Sequence, residues 1–147
     1  MKKYIFLPAL FLLAVSLSSC GGKTESSDSP KTSREGFEKL IAQYEVPLYP
    51  GSEFVEMGKV DNLDAAIYKT SESADKVLEF YHNKIAELKL SGGNITPALP
   101  RKVNGQDVWV KFVQVLPLGK DPLDIVVGIP GKKGAPEYQM IAFAAGW

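Results

Sequence analysis

One cysteine, one histidine and two tryptophans are all that 147 residues provide of these types. With Cys20 the sole thiol, no disulfide forms within the chain and no thiolate cluster can hold a metal. With His82 the sole imidazole, any Ser-His-Asp or Cys-His centre would have to be built on that one side chain. No apolar run reaches the roughly 20 residues a helix needs to cross a bilayer. Neither sign of charge dominates: 17 Lys and Arg stand against 17 Asp and Glu. No basic stripe suggests a nucleic-acid partner. There is no internal repeat, and Gly128 to Gly134 lacks the spacing of a phosphate loop and leads to a strand rather than a helix.

The front of the chain is distinctive. Lys2 and Lys3 precede an apolar run from Tyr4 to Val15, broken only by Pro8. Leu17-Ser18-Ser19-Cys20 follows: an apolar residue three before a cysteine, with small residues between. This resembles the signal and lipobox of bacterial lipoproteins. The resemblance implies cleavage between Ser19 and Cys20, a thioether-linked diacylglyceryl group on Cys20, and anchoring to membrane lipid through two or three acyl chains. It also explains an unpaired cysteine in an exported chain.

Segment 1–19 contributes two basic side chains and no acid, so the remainder is two charges negative. Gly21 to Thr32 is polar, rich in Ser and Gly, and has nothing apolar to bury, which is the composition of a flexible tether. By resemblance to lipoprotein sorting, Gly21 and Gly22, in place of an Asp after the cysteine, imply an outer-membrane destination facing the periplasm in a host with two membranes. The expected organisation is therefore a signal at 1–19, a lipidated tether at 20–32 and one globular domain at 33–147.

The domain reads as α+β. Ser33 can cap a short helix over about 34–44, with Phe37, Leu40, Ile41 and Tyr44 on one stripe. A main helix is predicted over about 73–90, with Val77, Leu78, Phe80, Tyr81, Ile85 and Leu88 in one apolar arc and Glu79, Asn83 and Glu87 opposite. Lys84 lies within the arc and must run its stem along the core edge. Strands are predicted at 53–60, 65–70, 106–116, 123–129 and 138–143, with hairpin turns at Asp61-Asn62, Asn104-Gly105 and Pro130 to Gly134. Residues 94–103, interrupted by Pro97 and Pro100, read as an edge or loop. Short links favour antiparallel pairing, so five or six strands should form an antiparallel sheet with both helices on one face.

Pro47-Leu48-Tyr49-Pro50-Gly51-Ser52, a hairpin, and a helix carrying Val77-Leu78-Glu79-Phe80-Tyr81 resemble a recurrent exported bacterial domain of unknown function. The resemblance spans about residues 46–90 and implies a fold, with no activity. The Gly-Trp that often follows the helix in such domains is replaced here by Gly92-Gly93-Asn94.

Little in the domain points to chemistry. His82 sits at the edge of the apolar arc, and a metal there would need scattered carboxylates, so no metal or cofactor is expected. Glu38, Asp75, Glu79 and Glu87 fall on helix surfaces, and Asp61, Asp64 and Asp121 in loops. Trp109 and Trp147 are the candidate partner contacts, since exposed aromatics stack on sugars or anchor proteins. For Trp109, between Val108 and Val110 on a strand, core filling is the expected role. A non-catalytic envelope module binding a protein or glycan fits these absences best. A carboxylate-dependent envelope hydrolase would need two facing acids with raised pKa. A small-ligand or lipid carrier would need an apolar cavity between helix and sheet.

Overall fold

The computed structural model describes residues 33–146. The signal at 1–19, its cleavage site at Ser19-Cys20, the tether at 20–32 and Trp147 lie outside the described residues. The elements run α1 (Arg34–Ala42), β1 (Glu53–Val60), β2 (Leu63–Thr70), α2 (Ala74–Glu87), β3 (Leu99–Val103), β4 (Gln106–Val115), β5 (Leu123–Gly128) and β6 (Gln139–Ala145). All six strands pair antiparallel, and both helices lie on one face, as the α+β reading expects. Among the described residues no helix is long and apolar enough to cross a membrane.

Both helices start where a serine supplies an acceptor to an otherwise unpaired N–H. Ser33 Oγ accepts from the Gly36 N–H at 3.1 Å, and Ser73 Oγ from the Lys76 N–H at 3.4 Å. Glu35 and Asp75 add negative charge in the first turns. The main helix stops before the Ser91-Gly92-Gly93 signal: Lys89 turns left-handed, and the Leu90 N–H reaches back to the Ile85 carbonyl at 3.0 Å. Leu88 therefore lies past the last turn, half out of the core rather than in the arc.

The sheet curls further than the sequence indicates. Its order is β1-β2-β6-β5-β4-β3, and β3 meets β1 to close a barrel. One face of β2, β4, β5 and β6 packs against the helices, with Phe37, Tyr68, Val77, Tyr81, Ile125 and Phe143 among its fillers. The other face lines the interior with small and branched side chains, including Ala65, Val108, Val126, Ala142 and Ala144. This is the packing a six-stranded barrel requires, because its bore has little room. The stretch 94–103, read as an edge or loop, divides: its first part continues from Gly92 beside β4, where Gly92 bridges Val115 and the Thr96 N–H donates to the Phe112 carbonyl at 3.0 Å. Thr96 Oγ1 accepts the Phe112 N–H at 3.0 Å in return, so Thr96 both donates to and accepts from the same residue of β4. Only 99–103 is a regular strand.

Closure rests on two hairpin turns meeting side by side. Val60 opposite Val103 is the only registered pair between β1 and β3. The Asn104 N–H donates to the Lys59 carbonyl at 2.9 Å, and the Asp61 N–H to the Lys102 carbonyl at 2.6 Å. Two turn side chains complete the seam: Asn104 Oδ1 accepts the Lys59 N–H at 2.9 Å, and Asp61 Oδ1 accepts the Lys102 N–H at 3.0 Å. Both residues are left-handed, at φ 49° and 53°, a conformation Asn and Asp tolerate. Gly58 leaves room for the Asn104 carboxamide, which a Cβ there would strike.

Candidate functional site

Two polar constellations sit at the ends of the bore. The first is a charged plug. Along β3 the inward positions are Leu99, Arg101 and Val103, so the Arg101 side chain enters the barrel opposite Val108. On β5, Asp124 points inward opposite Gln114. Arg101 Nε donates to Asp61 Oδ2 at 2.7 Å and Nη1 to Asp124 Oδ2 at 2.8 Å. Gln114 Nε2 fills the other Asp124 oxygen at 2.8 Å. The guanidinium also lies 5.0 Å from the Phe112 ring centre. Burial works against the Arg101 charge, but Asp124 and Asp61 outweigh it and hold its pKa above the ordinary value.

These are the acids that the fold brings together, and they suit structure better than acid catalysis. Burial pushes the Asp61 carboxyl up, but the Lys102 N–H and Arg101 prevail and hold it below its ordinary value of 3.8. A general acid needs the opposite shift. The sign fixes a pH dependence. With its folded pKa lowered, Asp61 contributes stability that is present above pH 3.8 and is lost as pH falls toward and through its folded pKa. Urea melts from pH 5 to pH 2 should show stability dropping with acid, and Asp61→Asn should be less stable at pH 5 and flatten that drop. An unchanged slope in the variant would remove Asp61 from the account.

The second constellation is a cavity of about 460 Å³ at the opposite end. Ile67, Val103, Val108 and Met140 give it apolar lining, and Glu56, Asn104, Gln106 and Tyr138 add polar groups. Residues Gly134 to Pro136 of the β5–β6 connection overhang it. Asn104 Nδ2 donates to Glu56 Oε1 at 3.1 Å, and Glu56 has no ion pair among the described residues. Burial, then the Glu56 charge, pushes the Tyr138 hydroxyl up, so it remains a neutral donor at physiological pH. The volume lies within the range of small-molecule sites, and a second cavity of the same size is lined by Gln43, Tyr44, Gly119, Lys120, Asp121 and Gly146.

The sequence candidates fall elsewhere. Trp109 is not core filling: Val108 and Val110 take the inward face, and the tryptophan points outward, 39% exposed, with Lys132 Nζ 6.0 Å from its ring centre. The physical reason is coverage. The core under the helices takes in Val113 and Val115 of β4 but not Trp109, so outward residues near the start of that strand face water. His82 is exposed on α2 and ties Nδ1 to the Gly93 carbonyl at 2.7 Å. Lys84 does run along the core edge, reaching Glu87 at 2.9 Å. Among the described residues no three His, Cys, Asp or Glu side chains are placed to hold a metal. The space between helices and sheet, where a carrier would need its cavity, is filled by the rings of Phe37, Tyr68, Tyr81 and Phe143.

Sequence reasoning missed the plug and the cavity, although the plug left a trace. Asp124 interrupts the run Leu123 to Val127, and Arg101 alternates with Leu99 and Val103; a charge at an inward position asks for a partner. Glu56, Gln106 and Tyr138 left none, because their meeting depends on closure. Comparison with protein-family models, with characterised proteins and with solved structures finds no match for this chain.

Proposed function

We propose that the chain is a membrane-anchored envelope lipoprotein whose barrel is a non-catalytic binding module. The observation that carries the binding role is the cavity at one barrel end: about 460 Å³, lined by apolar Ile67, Val103, Val108 and Met140 together with Glu56, Asn104, Gln106 and Tyr138. The anchor rests on the lipobox-like Leu17-Ser18-Ser19-Cys20. Cys20 carries the acyl chains, residues 20–32 are the tether, and Gly21-Gly22 directs the protein to the periplasmic side of an outer membrane. Asp61 and Asp124, the two acids that Arg101 bridges, are both engaged by its guanidinium, which speaks against their use by a carboxylate hydrolase.

Tethering explains how weak binding suffices. A tether of about a dozen residues would hold the barrel within roughly 20 Å of its anchor point, so that an encounter with an envelope partner becomes effectively intramolecular. Mass spectrometry of protein extracted from membranes should find acylated Cys20 as the first residue; an intact Met1 or a free Cys20 thiol refutes the anchor. Crosslinking from the cavity rim, with a photoreactive residue in place of Gln106, should trap an envelope protein or glycan. Cys20→Ala should trap the same partner in extracts yet lose function at the membrane. Turnover of an envelope substrate with no trapped partner would favour the hydrolase.

A further inference from the structure

The closure that makes the barrel also leaves part of it open. β1 extends beyond the Asn104-Gly105 turn, so only its last residues meet β3. The Lys59 N–H and C=O both point across the seam to Asn104. Backbone direction alternates along a strand, so the Met57 N–H and C=O point to the same side two residues earlier. There the β3–β4 hairpin has ended: before the seam the residues of β1 are registered with β2 alone, and β3 meets β1 at Val60. Two cavities flank this stretch of edge. On the inner face lies the cavity of about 460 Å³ with Glu56, Tyr138 and Met140. On the outer face lies one of about 450 Å³, lined by Met57, Gly58, Lys59, Asp61, Asp64, Asn104 and Gly105. Asn104 borders both.

An unpaired strand edge with a cavity on each face matches one kind of ligand. An extended polypeptide presents backbone donors and acceptors along its length, and successive side chains go to opposite faces. We propose that such a segment adds as a strand to the free edge of β1, placing alternate side chains in the inner and outer cavities. Charge specifies the inner residue: Glu56 has no ion pair, and the neutral Tyr138 hydroxyl lies beside it, so a Lys or Arg fits there. In the outer cavity Lys59 is held by Asp64 at 3.2 Å and Asp61 by Arg101 at 2.7 Å, leaving Met57 to receive an apolar side chain. A glycan offers no alternating backbone of this kind, which is why a polypeptide is favoured.

This inference rests on the binding-module reading and narrows its ligand. The full chain, purified in detergent, would be panned against a random dodecapeptide display library. Enriched peptides should carry a basic residue flanked on either side by apolar ones. On binding, the amide signals of residues 54–59 and 104–105 should shift most. N-methylation of a peptide nitrogen facing β1 should weaken binding at least tenfold, since it removes a ladder bond while leaving the side chains in place. Glu56→Gln should weaken basic peptides about tenfold and leave peptides with a neutral inner residue unchanged. Met57→Pro, which lacks the edge N–H but keeps the β1–β2 ladder, should abolish binding; the N-methylated peptide gives the same information if that variant fails to fold. No enriched peptide, shifts confined to another surface, or indifference to N-methylation would each overturn strand addition. So would a concentration-dependent homodimer paired through β1, which would make a second copy the occupant. A glycan trapped at Gln106 with no peptide bound would overturn this inference and leave the module reading standing, whereas no ligand of any kind would overturn both.

Discussion

Replacing Tyr81 by alanine should cost about 3–5 kcal/mol of folding stability, the range for truncating a large buried aromatic. Tyr81 is fully buried at the centre of the helix-side core. Its ring meets Phe80, Phe143 and Tyr49 at centroid distances of 5.0, 5.8 and 6.2 Å, the first two edge to face. Its hydroxyl donates to the Pro47 carbonyl at 3.2 Å, which pins the Pro-rich link between α1 and β1 against α2. Alanine would open a cavity and leave that carbonyl without its donor. Tyr81→Phe separates the two effects: it keeps the ring and should cost about 0.5–1.5 kcal/mol, the net worth of one hydrogen bond. Glu79→Ala, on the exposed face of the same helix, should stay within about 0.5 kcal/mol. Urea melts of the three variants provide the check, and equal effects at 79 and 81 would mean that α2 presents a different face to the sheet.

Arg101→Met should be comparably damaging, for an electrostatic reason. The Arg101 side chain is 11% exposed and that of Asp124 8% exposed. Without the guanidinium, Asp124 keeps one donor, Gln114, and its charge stays in the bore unneutralised. Leaving one partner of a buried pair uncompensated costs about 3–5 kcal/mol. Removing both is a different case. In Arg101→Met with Asp124→Leu the bore gains two apolar side chains next to Phe112 and Val126, and Asp61, at the surface, is resolvated. The double variant should be more stable than Arg101→Met alone, because replacing a buried ion pair by apolar groups is often neutral or favourable. Losses that simply add would show that the two charges do not depend on each other. Hydrogen exchange at Lys59, Asp61, Lys102 and Asn104 would show whether the plug also holds the seam, since Asp61 joins Arg101 to the Lys102 N–H.

Much of the architecture is legible in short windows of sequence, because the forces involved act over short windows. The apolar arc of α2 identifies Val77, Leu78, Tyr81 and Ile85, all of which are buried. Ser33 and Ser73 mark helix starts because a cap bonds to an N–H three residues away. Asn104-Gly105 marks a hairpin because both residues must adopt positive φ, and they do, at 49° and 81°. Leu88 and Trp109 escape the same logic. Periodicity places a side chain on a face, and only the reach of the neighbouring element decides whether that face is covered.

What the sequence determined by itself is therefore local: two capped helices, five of the six strands and their turns, the apolar stripe that puts both helices on one face, and the lipobox-like signature ahead of them. What the tertiary structure decided is the curl of the sheet into a barrel and everything that follows from it. The seam joins Asp61 to Lys102 and Lys59 to Asn104, residues some forty positions apart, through hydrogen bonds that no pattern of period two or 3.6 encodes. The meeting of Arg101 with Asp124, the gathering of Glu56, Gln106 and Tyr138 around one cavity, and the free edge of β1 all exist because six twisted strands close on themselves with a stagger. That stagger is set by the sum of strand twist and register over the whole sheet, a quantity no single segment of the chain contains.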